Sequence, residues 1–100
     1  MAPLRWSPQS VEDLESICQY ISRDSDAYAC LFAQNVVALI EDIARFPFSG
    51  RMVPEYQNPQ IREKLFQNYR IVYRAKKHRI EIVGIVHGAQ NFTAALRSRI

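Results

Sequence analysis

The sequence predicts an α+β fold: an N-terminal strand and a two-helix hairpin packed on an antiparallel sheet of three to four strands, in the order β-α-α-β-β-β, as one domain over residues 1–100. Three observations carry this. Residues 61 to 87 alternate with the period of strands, residues 8 to 45 hold two apolar stripes at helical spacing, and only a short polar break separates the stripes. One hundred residues suffice for a single core, and an apolar share of 48% excludes disorder.

Leu4, Arg5 and Trp6 suit a short edge strand. Ser7 then offers a helix cap, Pro8 takes the first helical position, where its missing N–H costs nothing, and Glu12 and Asp13 suit the positive helix end. Val11, Leu14, Ile17, Cys18 and Ile21 form the apolar stripe of this helix, which should end near Ser22. Past the break, Ser25 or Asp26 caps a longer helix reaching about Arg45, with Ala29, Phe32, Ala33, Val36, Ile40 and Ile43 inward. Two helices with one stripe each must pack antiparallel and lie together on the sheet. Pro47 stops the second helix, and Gly50 permits a positive φ in the reversal that follows. The loop from Pro47 to Pro59 is aperiodic, and a loop of that length in a small domain is often functional.

In the sheet, Ile61 and Leu65 stand opposite Arg62 and Lys64, and Tyr69, Ile71 and Tyr73 stand opposite Arg70, Val72 and Arg74. A polar turn at residues 76–79 leads into a third run from Ile80 to His87. One face is therefore expected to be apolar and covered, with Phe32, Val36, Ile40, Ile71, Tyr73 and Ile82 in the core. The other face should gather Arg62, Lys64, Arg70 and Arg74, joined by His87 if Ile80, Ile82 and Val86 point inward. Glu55, Glu63 and Glu81 are the candidate salt-bridge partners of Arg62 and Arg70. In the tail, Phe92, Ala95 and Leu96 suit a short helix.

Charge divides sharply. Residues 1–50 hold three basic and seven acidic side chains, a balance of −4, whereas residues 51–100 hold ten basic and three acidic, a balance of +7. The second half is thus suited to an anionic partner, either nucleic acid or an acidic protein segment. Cys18 and Cys30 make neither a disulfide framework nor a zinc site and read as small buried hydrophobes. There is no Gly-rich phosphate loop, Ser-His-Asp set or metal-ligand spacing, so no cofactor and no metal is expected. No apolar run has the length of a membrane span and no leader is evident, so a cytoplasmic protein is expected.

The order of Ala44-Arg45-Phe46-Pro47, Gly50-Arg51, Pro54-Glu55, Ile61-Arg62-Glu63, Tyr69-Arg70-Ile71-Val72-Tyr73 and Ile85-Val86-His87 resembles the RelE/ParE superfamily of bacterial type II toxins over almost the whole chain. The resemblance implies a toxin, of the plasmid-stabilising kind, silenced by a cognate antitoxin whose extended segment wraps it. Contacts to that antitoxin are expected on the hairpin at Leu14, Ile17, Tyr20 and Tyr28.

Two branches of the superfamily imply different targets. RelE-like members are ribosome-dependent mRNA endonucleases, and on that pattern Arg62, Lys64, Arg70 and His87 would be catalytic, with His87 as the base for a 2′-OH and the cations stabilising the phosphorane. Gly88 stands where a second catalytic arginine of those nucleases would fall, and no tyrosine follows in the tail. ParE-like members poison DNA gyrase, and the wording Phe46-Pro47-Phe48-Ser49-Gly50-Arg51, Pro54-Glu55 and Ile61-Arg62-Glu63, with His87 closing the last strand, looks more like theirs, although the arginines that often follow that histidine are absent. On the ParE-like pattern a ParD-like antitoxin is expected, and Arg62, Arg70, Arg74, His87 and Phe92 would meet the target. A relative that only binds a partner, without toxicity, is the third reading.

Overall fold

In the computed structural model, which describes residues 2–100, the elements are β1 (Leu4–Trp6), α1 (Pro8–Ser22), α2 (Asp26–Arg45), β2 (Arg51–Met52), β3 (Ile61–Phe66), β4 (Tyr69–Lys76), β5 (Arg79–His87) and α3 (Phe92–Ala95). The α+β fold with its N-terminal strand and helical hairpin is as expected. The sheet has five strands in the order β1-β5-β4-β3-β2, because the Pro47–Pro59 loop contributes the two-residue β2. It is mixed, since β1 runs parallel to β5, pairing Leu4 with Ile80 and Trp6 with Ile82, while the other pairs are antiparallel.

The helix starts follow the sequence. Ser7 accepts the Ser10 N–H at 3.1 Å and Ser25 accepts the Tyr28 N–H at 3.0 Å. α2 is 20 residues long and contains an 18-residue stretch of mean hydropathy 1.3, so by length and composition alone it could span a membrane, contrary to expectation. Its apolarity serves the core: Ala29, Phe32, Val36, Ile40 and Ile43 are buried, and all but Ala29 join Ile71, Tyr73, Ala75, Ile80, Ile82 and Ile85 in one cluster between hairpin and sheet. The six expected core residues all lie in it. Leu14, Ile17, Cys18 and Ile21 of α1 pack against its rim, while Val11 is 41% exposed and falls outside the stripe. Glu12 and Asp13 lie beyond the first turn of α1. Asp13 instead accepts the Ile85 N–H at 2.9 Å and pairs with Arg99 at 2.6 Å, tying the tail to α1.

The sheet departs from expectation in having two covered faces. A second cluster, Val53, Ile61, Val72, Val83, Val86, Phe92 and Leu96, fills the face away from the hairpin. Register explains it. Residues directly opposite in an antiparallel pair share a face, and Ile61 stands opposite Arg74, Glu63 opposite Val72, Arg62 opposite Tyr73 and Lys64 opposite Ile71. Arg62 and Lys64 therefore lie on the hairpin side, and Arg70 and Arg74 on the other. A bulge in β5 reverses its later half: Tyr73 pairs with Ile82 but Val72 with Gly84, leaving Val83 as the extra residue. Ile80, Ile82, Ile85 and His87 face the hairpin, while Val86 faces away. The expected single basic face does not exist.

Gly50 has no positive φ; the glycine is needed for space, because a Cβ there would lie 2.5 Å from the Tyr73 hydroxyl and 2.6 Å from the Glu63 carbonyl oxygen. That hydroxyl accepts the Gly50 N–H at 3.0 Å and donates to the Pro47 carbonyl at 2.8 Å, pinning the loop to the sheet. Tyr73→Phe strands both backbone groups and is expected to destabilise the protein by about 1–3 kcal/mol, read as a lower urea midpoint with an unchanged slope.

Candidate functional site

On the face away from the hairpin, four charged side chains form a continuous chain of ion pairs, Arg51–Glu63–Arg70–Glu55. The Glu63 carboxylate, with a side chain 0% exposed, accepts Arg70 Nε at 2.6 Å on one oxygen and Arg51 Nε at 2.6 Å on the other. The outer edge of the Arg70 guanidinium donates to both Glu55 oxygens, at 2.9 and 2.8 Å, and its flat face lies 3.6 Å from the centre of the Phe92 ring. Four groups carry two positive and two negative charges. A buried carboxylate between two arginines is held only by such satisfaction, since leaving it unpaired costs several kcal/mol.

The proton affinities agree. Hydrogen bonding, first to Glu55 and then to Glu63, raises the Arg70 guanidinium above its already high value, and the Arg70 hydrogen bond holds the Glu55 carboxyl below the usual carboxylate range. A lowered carboxylate pKa contributes stability that is complete above the unfolded value and lost as pH falls through the folded one. Urea melts of wild type and Glu55→Gln are therefore expected to differ by a constant amount near neutrality, with the gap closing as pH is lowered from about 5 toward about 3.

The other expected site residues are dispersed. Arg62 holds the loop, donating to the Pro59 carbonyl at 2.9 Å and the Gly50 carbonyl at 3.0 Å, with its guanidinium 4.8 Å from the Phe48 ring. It thereby presents Phe46 and Phe48, which are 61% and 63% exposed. Lys64 is half-buried on the hairpin side of β3. The Nε of Arg74 is buried without a hydrogen-bond partner. Phe92 is buried beneath Arg70.

His87 is across the sheet from Arg70. Its Nδ1 accepts the Ala89 N–H at 2.9 Å, its backbone N–H donates to Gln90 Oε1 at 2.8 Å, and its ring meets Tyr69 edge-on at 5.0 Å. An Nδ1 that accepts a hydrogen bond places the neutral ring's proton on Nε2.

His87 also lines a groove of about 370 Å³ with Ser16, Ile17, Tyr20, Tyr69 and Gln90. Two of the four hairpin residues expected to contact an antitoxin, Ile17 and Tyr20, are in it, and Tyr20 is 67% exposed. Leu14 packs toward the core instead. Tyr28 stands outside the groove, 47% exposed, and its hydroxyl accepts from Gln67 Nε2 at 3.3 Å. Sequence reasoning named Glu55 and Glu63 as partners of Arg70 but missed Arg51, whose place depends on a two-residue strand, Tyr69, which it read only as a strand residue, and Gln90, which carries no motif. Among the described residues, no three His, Cys, Asp or Glu side chains converge as a metal site.

The sequence profile of a family described as the ParE toxin of type II toxin-antitoxin system, parDE, matches residues 4–92. Among solved structures the chain is similar to one from a chromosomal ParDE toxin-antitoxin system of P. aeruginosa, with a TM-score of 0.72 and 21% identity, over 87% of this chain and 96% of that one. At that identity the likeness is one of fold. No curated protein matches the sequence.

Proposed function

The chain belongs to the ParE toxin family of type II toxin-antitoxin systems, and from that membership we propose that it acts in the cytoplasm by binding and blocking DNA gyrase, without cutting RNA, and that a ParD-like antitoxin silences it. The observation that carries the choice of binding over cleavage is the state of Arg70. Its charge is engaged by Glu55 and Glu63, and its ring-stacked face by Phe92. It stands on the opposite face of the sheet from His87, the base that a histidine-dependent nuclease would use. A cleavage site needs base and cations converging on one phosphate, and losing one preorganised charge stabiliser costs about 100- to 1,000-fold in rate. A binding poison has no such requirement.

In this reading gyrase meets two neighbouring surfaces, one shaped by Arg70, Arg74 and Phe92 on the face away from the hairpin and one by Arg62 on the hairpin side. Arg62 does so by fixing the loop with Phe46 and Phe48, and Arg70 by holding Arg51, through Glu63, at the surface. The antitoxin is an acidic amphipathic segment that folds on binding and seats an apolar side chain in the groove of Ile17, Tyr20, Tyr69 and His87. The P. aeruginosa chain of like fold comes from a system with both components, which supports that pairing.

The test is a supercoiling assay with purified gyrase. Wild type is expected to inhibit, and prior addition of the purified antitoxin encoded by the neighbouring gene to abolish inhibition. Ile17→Asp is expected to weaken the antitoxin complex at least about 100-fold by calorimetry, because it places a charge where an apolar side chain must seat. Unimpaired supercoiling at micromolar protein refutes the gyrase reading; unchanged antitoxin affinity in the variant refutes the placement of the groove.

A further inference from the structure

The two cysteines stand together. Cys18 lies four residues before the end of α1 at Ser22, and Cys30 lies four residues after the start of α2 at Asp26. In an antiparallel hairpin this symmetry about the turn puts them at one level. Both line one groove of about 310 Å³ between the helices, with Gln19, Ser22, Ala29 and Ala33. The small residues Ala29 and Ala33, one turn apart, let the helices approach closely there, and the Cys18 thiol lies 3.8 Å from the carbonyl oxygen of Ala29, the residue next to Cys30. Neither is the fully buried hydrophobe expected from sequence: Cys18 is half-buried and Cys30 is exposed.

We propose that Cys18 and Cys30 are a thiol-oxidation site, converted by a hydroperoxide into an intramolecular disulfide that staples α1 to α2. Exposure assigns the order of events. Cys30 is the exposed thiol reached by oxidant, and burial, followed by the neighbouring Cys30, pushes the Cys18 thiol up, so Cys18 is less ionised than an ordinary thiol. The Cys30 thiolate attacks the O–O bond, taking one oxygen as a sulfenic acid and releasing the other as water or alcohol. Cys18, losing its proton, attacks the sulfenic sulfur, which forms the S–S bond and releases the second oxygen as water. Two thiols and one hydroperoxide thus give one disulfide, one alcohol or water, and one water. Cys30 leaves its contact with Gln34, 3.7 Å from its sulfur, by a rotamer change open to an exposed side chain. The product fixes the helices on which Tyr20 and Tyr28 stand, so oxidation sets the rigidity of the hairpin independently of which target the toxin meets.

The test is to treat the folded full-length protein with hydrogen peroxide, block free thiols with iodoacetamide in denaturant, and measure intact mass. Expected is a monomer lighter by two hydrogens with neither cysteine alkylated, and a melting temperature raised on the order of 10 °C and returned to its starting value by dithiothreitol. Cys18→Ser and Cys30→Ser should each abolish both effects. Oxidation of Cys30 to sulfinic acid with Cys18 still alkylated, a dimer joined through Cys30, or a bridge that lowers the melting temperature each overturns the proposal.

Discussion

Arg70→Ala is expected to remove about 3–5 kcal/mol of stability, a large part of the roughly 5–15 available to a domain of this size. The cost arises at Glu63. Its side chain has no solvent exposure, and without Arg70 one of its oxygens loses a charged partner at 2.6 Å while the Phe92 ring loses its cover. Were Arg70 a free ligand for phosphate, its removal would leave stability within about 0.5 kcal/mol, as surface substitutions do. Glu63→Gln in the Arg70→Ala background should recover part of the loss, because a neutral amide no longer strands a buried charge. Chemical denaturation of the two single variants and the double variant measures this coupling.

Ile40→Asp is expected to prevent soluble folding altogether. Ile40 is 0% exposed, in the cluster that α2 shares with Ile71, Tyr73 and Ile82. An unpaired carboxylate there costs several kcal/mol beyond the lost apolar contacts, comparable with the whole stability of the domain. A soluble Ile40→Asp protein that melts cooperatively shows that this face of α2 is not packed on the sheet.

The hairpin and its core were legible because helical stripes and caps are local signals: Ser7, Pro8 and Ser25 act where they stand in sequence, and Phe32, Val36 and Ile40 share one face by period alone. The faces of the sheet were not legible. Alternation tells which residues of one strand lie together, but only register joins strands, and nothing local shows that Arg62 stands opposite Tyr73. The extra residue Val83 then reverses His87, and Gly84 beside it leaves room for the Asp13–Arg99 pair, since a Cβ there would lie 2.6 Å from Arg99 Nη1. The second core escaped for the same reason. Ile61 and Val72 come to share a face only through the β3–β4 register, and Val83 and Val86 join them there only through the bulge. Glu55 and Glu63 were visible as partners of Arg70, and what sequence could not show is that both engage it at once, through Nε, Nη1 and Nη2.

On the proposed function the protein binds gyrase and cuts no RNA. The decisive experiment adds the purified protein to a translating ribosome system, maps every mRNA 5′ end, and runs the same preparation against gyrase. No new mRNA ends are expected at a concentration that abolishes supercoiling, with His87→Ala retaining inhibition in proportion to its folded fraction. Codon-dependent cuts that disappear in His87→Ala, with supercoiling intact, refute the proposed function.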